Sequence, residues 1–213
     1  MAVTTIPLAI KDANSVSQNM TVLQDPALLL RPANSLDAPG EALYRTSANF
    51  TPQATAAVTV ITITGSATKT VRIRRILMAG VSTALSGSVF ALQRTSALGA
   101  GGTLVAPTTA KVDSGTVASA TAVVNHWTTT LKAAGTAVGG PLSTFQFVSN
   151  TVTTPTVGFA GQIMAFPEFG SAIGQAIVLR GTSDFLEVQN ITPTNLGAGT
   201  VISYMVEWAE DAS

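Results

Sequence analysis

The 213-residue chain has no cysteine. This excludes disulfide staples and thiolate metal centres and leaves the redox compartment open. It has one histidine, His126, too few for a histidine-based metal cluster or catalytic array within one chain. Charged residues make up only 10%, against about 25% in an ordinary soluble domain. The eleven basic and eleven acidic residues cancel, so bulk charge does not draw the chain to nucleic acid. Heptads of Glu, Lys and Leu are missing, which excludes a coiled coil. No run of eighteen apolar residues occurs, so no transmembrane helix is expected. The opening MAVTTIPLAIKDANSVSQNM has neither the basic start nor the long apolar centre of a signal peptide. Residues 133–167 carry no charge, yet their Thr, Gly, Gln and Asn suit strands and loops better than a lipid-facing span.

What is present is apolar but small. Hydrophobic residues reach 46% while aromatics reach 6%, so Ala and Val carry much of the hydrophobicity. With so few charges, the surface must be mostly Thr, Ser, Ala, Gly and Asn. Such a surface suits a protein packed among copies of itself or other partners, although a neutral, Thr-coated monomer would share it.

The composition changes along the chain. Residues 1–45 hold Pro7, Pro26, Pro32 and Pro39, the turn-forming Asp12-Ala13-Asn14-Ser15, and short apolar clusters. Prolines at these intervals prevent a long helix and interrupt sheet pairing. The segment reads as an extended N-terminal arm with a short hairpin around Asp12–Ser15. Its Leu8, Ile10, Val22, Leu23, Leu28, Leu29 and Leu30 cannot bury one another in so short a segment, so they must lie on the chain's own domain or on a neighbour.

Residues 46–213 read as one all-β domain. Runs of Val, Ile, Thr and Phe alternate with Gly, Pro, Asn and Ser. Candidate strands are Ala56–Thr64, Lys69–Ala79, Ser88–Arg94, Ala118–Asn125, Ser143–Val148, Thr156–Phe166, Gln175–Arg180, Phe185–Asn190 and Thr200–Trp208. Without βαβ alternation they predict a β-sandwich or jelly-roll-like fold. Gly65-Ser66-Ala67-Thr68 reads as a hairpin turn between the first two strands.

In the last strand, Ile202, Tyr204, Val206 and Trp208 fall on one face, with Ser203, Met205 and Glu207 on the other. In Lys69–Ala79 the alternation breaks. Val71 and Ile73 lie opposite Arg72 and Arg74, but Ile76 and Met78 then fall on the charged face. A bulge near Arg74–Arg75 would restore the pattern; the alternative is an edge strand exposed on both faces.

Charge is segregated. Residues 51–112 carry Lys69, Arg72, Arg74, Arg75, Arg94 and Lys111 with no acid. Residues 113–213 carry Asp113, Glu168, Asp184, Glu187, Glu207, Glu210 and Asp211 against Lys132 and Arg180. Either the two halves pair across neighbouring strands, or Arg72, Arg74 and Arg75 form a basic strip for an acidic partner.

No catalytic constellation emerges. His126 has no nearby carboxylate to make it a general base, and no G-x-S-x-G elbow occurs. Asp184 and Glu187 are three residues apart and point to opposite strand faces, which argues against a glycosidase pair or a calcium site. Glu207, Glu210 and Asp211 read as solvating the chain end. The stretch Leu98-Gly99-Ala100-Gly101-Gly102-Thr103 lacks the Lys-Ser/Thr ending of a phosphate loop and reads as a flexible connection. Phe145, Phe147, Phe159, Phe166 and Phe169 are not interleaved with basic residues, so they read as core and not as a nucleic-acid platform. No cofactor or metal site is expected.

The segments Arg94–Ala97, Gly101–Thr103, Ala106–Thr108, Lys111–Ser114 and Ala118–Val124 together resemble a family of tailed-bacteriophage structural-region proteins. Val71–Gly80, Gln175–Ser183 and Val206–Glu210 are similar to the same family, as is Ile6–Asp25. The chain departs from it at Lys11-Asp12-Ala13-Asn14-Ser15 and Leu28-Leu29-Leu30-Arg31-Pro32, where the family carries glycines. The resemblance implies a virion protein with an N-terminal arm and a β-sandwich, assembled in the host cytoplasm. The expected role is a head decoration or cement protein that binds itself, as a trimer, and the major capsid protein. It would touch neither nucleic acid nor membrane. Leu8, Ile10, Leu23, Leu28, Leu29, Leu30, Arg72, Arg74 and Arg75 are the expected interaction residues. A tail, collar or fibre-adaptor protein is the alternative on the same particle. A carbohydrate-binding β-sandwich, using Trp127 with Tyr44 or Trp208, is the alternative of another class.

Overall fold

The computed structural model describes residues 5–11, 17–23, 42–52, 58–83, 86–112, 118–151, 164–165, 176–191, 196 and 199–212. The chain divides into two compact units, residues 1–39 and 40–213. In the first, β1 (Thr5–Lys11) and β2 (Ser17–Leu23) pair antiparallel, with Lys11 opposite Ser17 and Thr5 opposite Leu23. The turn expected around Asp12–Ser15 lies outside the described residues. Ile6, Leu8 and Ile10 stand opposite Val22, Met20 and Gln18.

The second unit is all-β, with no helix among the described residues. Its strands are β3 (Ala42–Phe50), β4 (Val58–Thr64), β5 (Lys69–Ser82), β6 (Ser86–Ala97), β7 (Gly101–Val105), β8 (Thr109–Lys111), β9 (Val123–Lys132), β10 (Thr136–Ala137), β11 (Ser143–Thr151), β12 (Met164–Ala165), β13 (Ile177–Arg180), β14 (Phe185–Asn190) and β15 (Val201–Ala212). One sheet runs β7-β9-β4-β14-β6, with β10 and β11 along the far side of β6. The other runs β5-β15-β3-β8, with β12 and β13 on the free side of β5. All these pairings are antiparallel. The end of β11 crosses between the sheets, where Asn150 and Thr151 pair in parallel with Val81 and Ser82. The sheets share one core that includes Tyr44, Phe50, Ile61, Ile73, Phe90, Phe147, Leu186, Val206 and Trp208, which gives a β-sandwich-like architecture.

Several strands follow from their alternation. On β15, Ile202, Tyr204, Val206 and Trp208 are buried while Ser203, Met205 and Glu207 are partly exposed. On β5 the break occurs where the pattern places it. Glu207 stands opposite Arg75 and Trp208 opposite Ile73, so Arg74 is the extra residue of a bulge. Val71 and Ile73 before it, and Ile76, Met78 and Gly80 after it, all face the core. A Cβ at Gly80 would overlap the ring of Phe147, so a glycine there lets the two sheets approach.

Three expectations are corrected. Gly65–Thr68 is not a hairpin turn but a corner: β4 pairs with β9 and β14, while β5 pairs with β15 and β13 in the other sheet. The Ser66 hydroxyl accepts the N–H groups of Thr68 (3.1 Å) and Lys69 (3.0 Å), and Gly65 N–H donates to the Asp184 carbonyl (3.0 Å). The same turn chemistry thus serves a change of layer, because β4 is buried on both faces and takes partners on both sides. The glycine-rich stretch is not all connection, since Gly101–Val105 pairs with β9; Gly101 and Gly102 adopt φ of 83° and 86°, a conformation glycine tolerates. Finally, β3 spans the boundary drawn at residue 45, because its pairing with β15 starts at Ala42, just past Pro39.

Residues 106–108 connect β7, at the edge of one sheet, to β8, at the edge of the other. This stretch therefore straps one open side of the sandwich.

Candidate interaction surfaces

The basic and acidic halves meet inside the second unit. Arg72 pairs with Asp211 (2.5 Å) and Arg94 with Asp184 (2.6 Å). Arg45 pairs with Glu207 (2.5 Å), and Arg75 stands opposite Glu207 on the other flanking strand. β5 and β15 are neighbours, so the basic strand lies directly against the acidic tail. These pairs are partly exposed, so each is worth about 0–1 kcal/mol. Each sets a cation beside an anion at the surface of the second unit. Arg72 is committed to one such pair, and Arg74 occupies the bulge, half-buried.

The acids expected to solvate the chain end do otherwise. Glu210 is buried and its carboxylate accepts the backbone N–H groups of Thr121 (3.0 Å) and Ala122 (2.9 Å), the Thr121 hydroxyl (2.7 Å) and the Trp208 indole N–H (2.9 Å). It therefore clamps the irregular approach to β9 onto β15. Glu187 is also fully buried. Its Oε2 accepts the Thr59 hydroxyl (2.8 Å), the Gln189 amide (2.8 Å) and Gly135 N–H (3.0 Å). Asp184, by contrast, serves Arg94 and the Arg180 N–H, so Asp184 and Glu187 do not act as a pair.

His126 lies in the core between the sheets. Its ring stacks on Phe50 at 4.6 Å and its Nδ1 lies 3.1 Å from the Tyr204 hydroxyl. Burial lowers the histidine pKa and raises that of Tyr204. Tyr44 stacks on Trp208 at 5.9 Å, and its hydroxyl donates to the Ala118 carbonyl at 3.1 Å. Burial, then the nearby Glu210, raises the Tyr44 pKa. Tyr44 and Trp208 are thus sealed inside, and neither is available to a sugar-stacking platform with Trp127. Among the described residues no group of three or more His, Asp or Glu side chains converges as a metal site.

Two surface features stand out. A groove of about 270 Å³ runs between the strap and the approach to β9, lined by Pro107, Thr109, Lys111, Ala120 and Val123. A shallow depression of about 440 Å³ lies on the outer face of β3, β15 and β5, lined by Ser47, Asn49, Leu77, Ala79, Ser203 and Met205. Leu77 and Met205 are half-exposed there. Single apolar residues are also exposed elsewhere, among them Leu104 on β7, Val138 and Leu142.

Of the expected arm contacts, Leu8 and Ile10 lie on β1 and Leu23 on β2. Leu28, Leu29 and Leu30 lie outside the described residues. Leu77 and Met205 are large apolar residues at outward, partly exposed positions of β5 and β15. No protein-family model matches the chain, and no curated protein or solved structure matches it either.

Proposed function

We propose that this chain is a structural virion protein of a tailed phage, a head decoration or cement protein that binds the capsid surface and neighbouring copies through its N-terminal arm. The observation that carries this reading is the division into two unlike units. A two-stranded ribbon alone is marginal in water, so β1 and β2 gain stability from a surface to lie on. The sandwich, for its part, ties Arg45, Arg72 and Arg94 into internal pairs and presents a largely uncharged exterior. Many weak contacts of this kind add up on a lattice, where neighbours raise one another's effective concentration. On this reading the protein is no enzyme; its partners are its own copies, as a trimer, and the major capsid protein, and its sandwich is of the jelly-roll-like kind common among shell components.

A tail, collar or fibre-adaptor role is the second reading, favoured by the same family resemblance. Counting copies per purified particle by quantitative mass spectrometry separates the two. Hundreds of copies are expected for a head protein; a dozen or fewer would place the chain at a vertex or tail.

A further inference from the structure

We infer that the outer face of β3, β15, β5 and β13 is the docking side of the sandwich, and that it takes an acidic surface of a protein other than this chain. The inference rests on the assembly reading above and deepens it by naming the face that meets the partner. Three observations carry it.

The first is where the charge sits. Arg45, Glu207 and Arg75 form one outward row across β3, β15 and β5. In the next rows Arg72 stands between Ala209 and Val178, and Thr70 stands between Asp211 and Arg180. Arg45 and Arg180 are exposed, and Arg72 and Arg75 are half-exposed. Four guanidinium groups thus share this face with two carboxylates, among the described residues. However the arginines share those two acids, the face keeps an excess of positive charge. The other sheet offers nothing comparable. Its outward row of Asn125, Thr62, Glu187 and Gln93 holds no cation and is buried.

The second is the company the arginines keep. Met205 and Leu77 lie in the row directly adjoining Glu207 and Arg75, with Ser47 beside them. Arginine and methionine are enriched at protein interfaces, where lysine is depleted. Glu207 and Asp211, set among the arginines, would repel a phosphate backbone. An excess of positive charge steers an anionic surface onto the face, and this mixture suits the carboxylates of a protein better than a nucleic acid.

The third is what the chain itself can offer. Among the described residues of the second unit, Glu187 and Glu210 are buried. Asp184, Glu207 and Asp211 each already face an arginine. The sandwich of a second copy therefore brings no acidic surface to this one, and two such faces would oppose like charges. The acidic surface belongs to another component.

The probe is fluorescently labelled poly-L-glutamate, read by anisotropy against the full-length chain, with a DNA duplex as the competing polyanion. The expected result is binding of poly-L-glutamate in dilute buffer, weakening as salt is added, and preferred over the duplex. Arg75→Gln/Arg180→Gln should weaken it by about tenfold, the effect of losing two exposed ionic contacts. Lys111→Glu changes the net charge by the same amount on the edge strand β8 and should leave binding within about twofold of the native chain. Thermal melts check that both variants fold, and the preference of the native chain for poly-L-glutamate tests the inference without any substitution. Tighter binding of the duplex would overturn the inference by giving the face to nucleic acid. Failure of poly-L-glutamate to bind, or an equal loss in Lys111→Glu, would overturn it as well. If Arg75→Gln/Arg180→Gln joins particles normally while a chain lacking residues 1–39 does not, the face is wrong and the assembly reading stands. If poly-L-glutamate binds as expected but both chains join particles normally, the acidic-surface preference stands and the assembly reading fails.

Discussion

Glu210 is the residue whose role departs most from its type. A carboxylate near a chain end is ordinarily a solubilising group, but here it gathers the Trp208 indole and two backbone N–H groups in a buried pocket. Glu210→Ala should cost about 2–4 kcal/mol, because it leaves several buried donors unsatisfied, and urea denaturation would measure the loss. The sequence offers no sign of this, since the donors at Thr121 and Ala122 arrive from a segment about ninety residues away. His126 gives a second test at this scale. Burial holds its folded-state pKa below the ordinary value of 6.5. The unfolded chain therefore binds a proton more readily, and stability is full above about pH 6.5 and falls as the pH drops through the folded value. Urea midpoints measured from neutral to mildly acidic pH should show this fall in the native chain and a smaller one in His126→Phe. An equal fall in both would assign the effect to other groups. The lone histidine was legible as structural, because no carboxylate accompanies it in the sequence, but its place between Phe50 and Tyr204 depends on contacts between the sheets.

At the scale of elements, β15 and the bulge of β5 were legible locally, whereas the strand expected over Ala118–Asn125 begins only at Val123 and runs on to Lys132, and most of Thr156–Phe166 lies outside the described residues. β15 alternates large apolar with polar residues, so its inward face was plain. The bulge in β5 was equally legible, because two arginines in succession interrupt an otherwise regular alternation. It yields a sharp contrast. Removing Arg74 takes out the extra residue and leaves Ile76 and Met78 facing the core, so the deletion variant should still fold. Removing Leu77 shifts Met78 and Gly80 to the outer face and should abolish cooperative unfolding. Thermal melts of the two deletion variants provide the comparison; equal damage in both would contradict the bulge. Elements set by distant partners escaped the reading. β3 hides because its inward set includes the small polar Thr46, and β7 hides behind glycines that usually mark loops. The Gly65–Thr68 corner looks like a hairpin turn because local turn residues say nothing about which sheet the next strand will join. The apolar outer positions of Leu77 and Met205 were visible in the sequence, but their adjacency appears only once β5 and β15 are aligned.

At the scale of the whole molecule, the claim is a division of labour between an autonomous sandwich and a ribbon that needs a neighbour. The sandwich holds its core, its ion pairs and both buried glutamates within residues 40–213, so it should fold without the arm. The boundary belongs before β3, because a cut after residue 45 would remove part of a strand that pairs along β15. The most direct measurement compares the full-length chain with one starting at Gly40, first by thermal melting and then by incorporation into particles. The account predicts a cooperative transition for both and incorporation only for the full-length chain. A shortened chain that enters particles as efficiently as the intact one would contradict it.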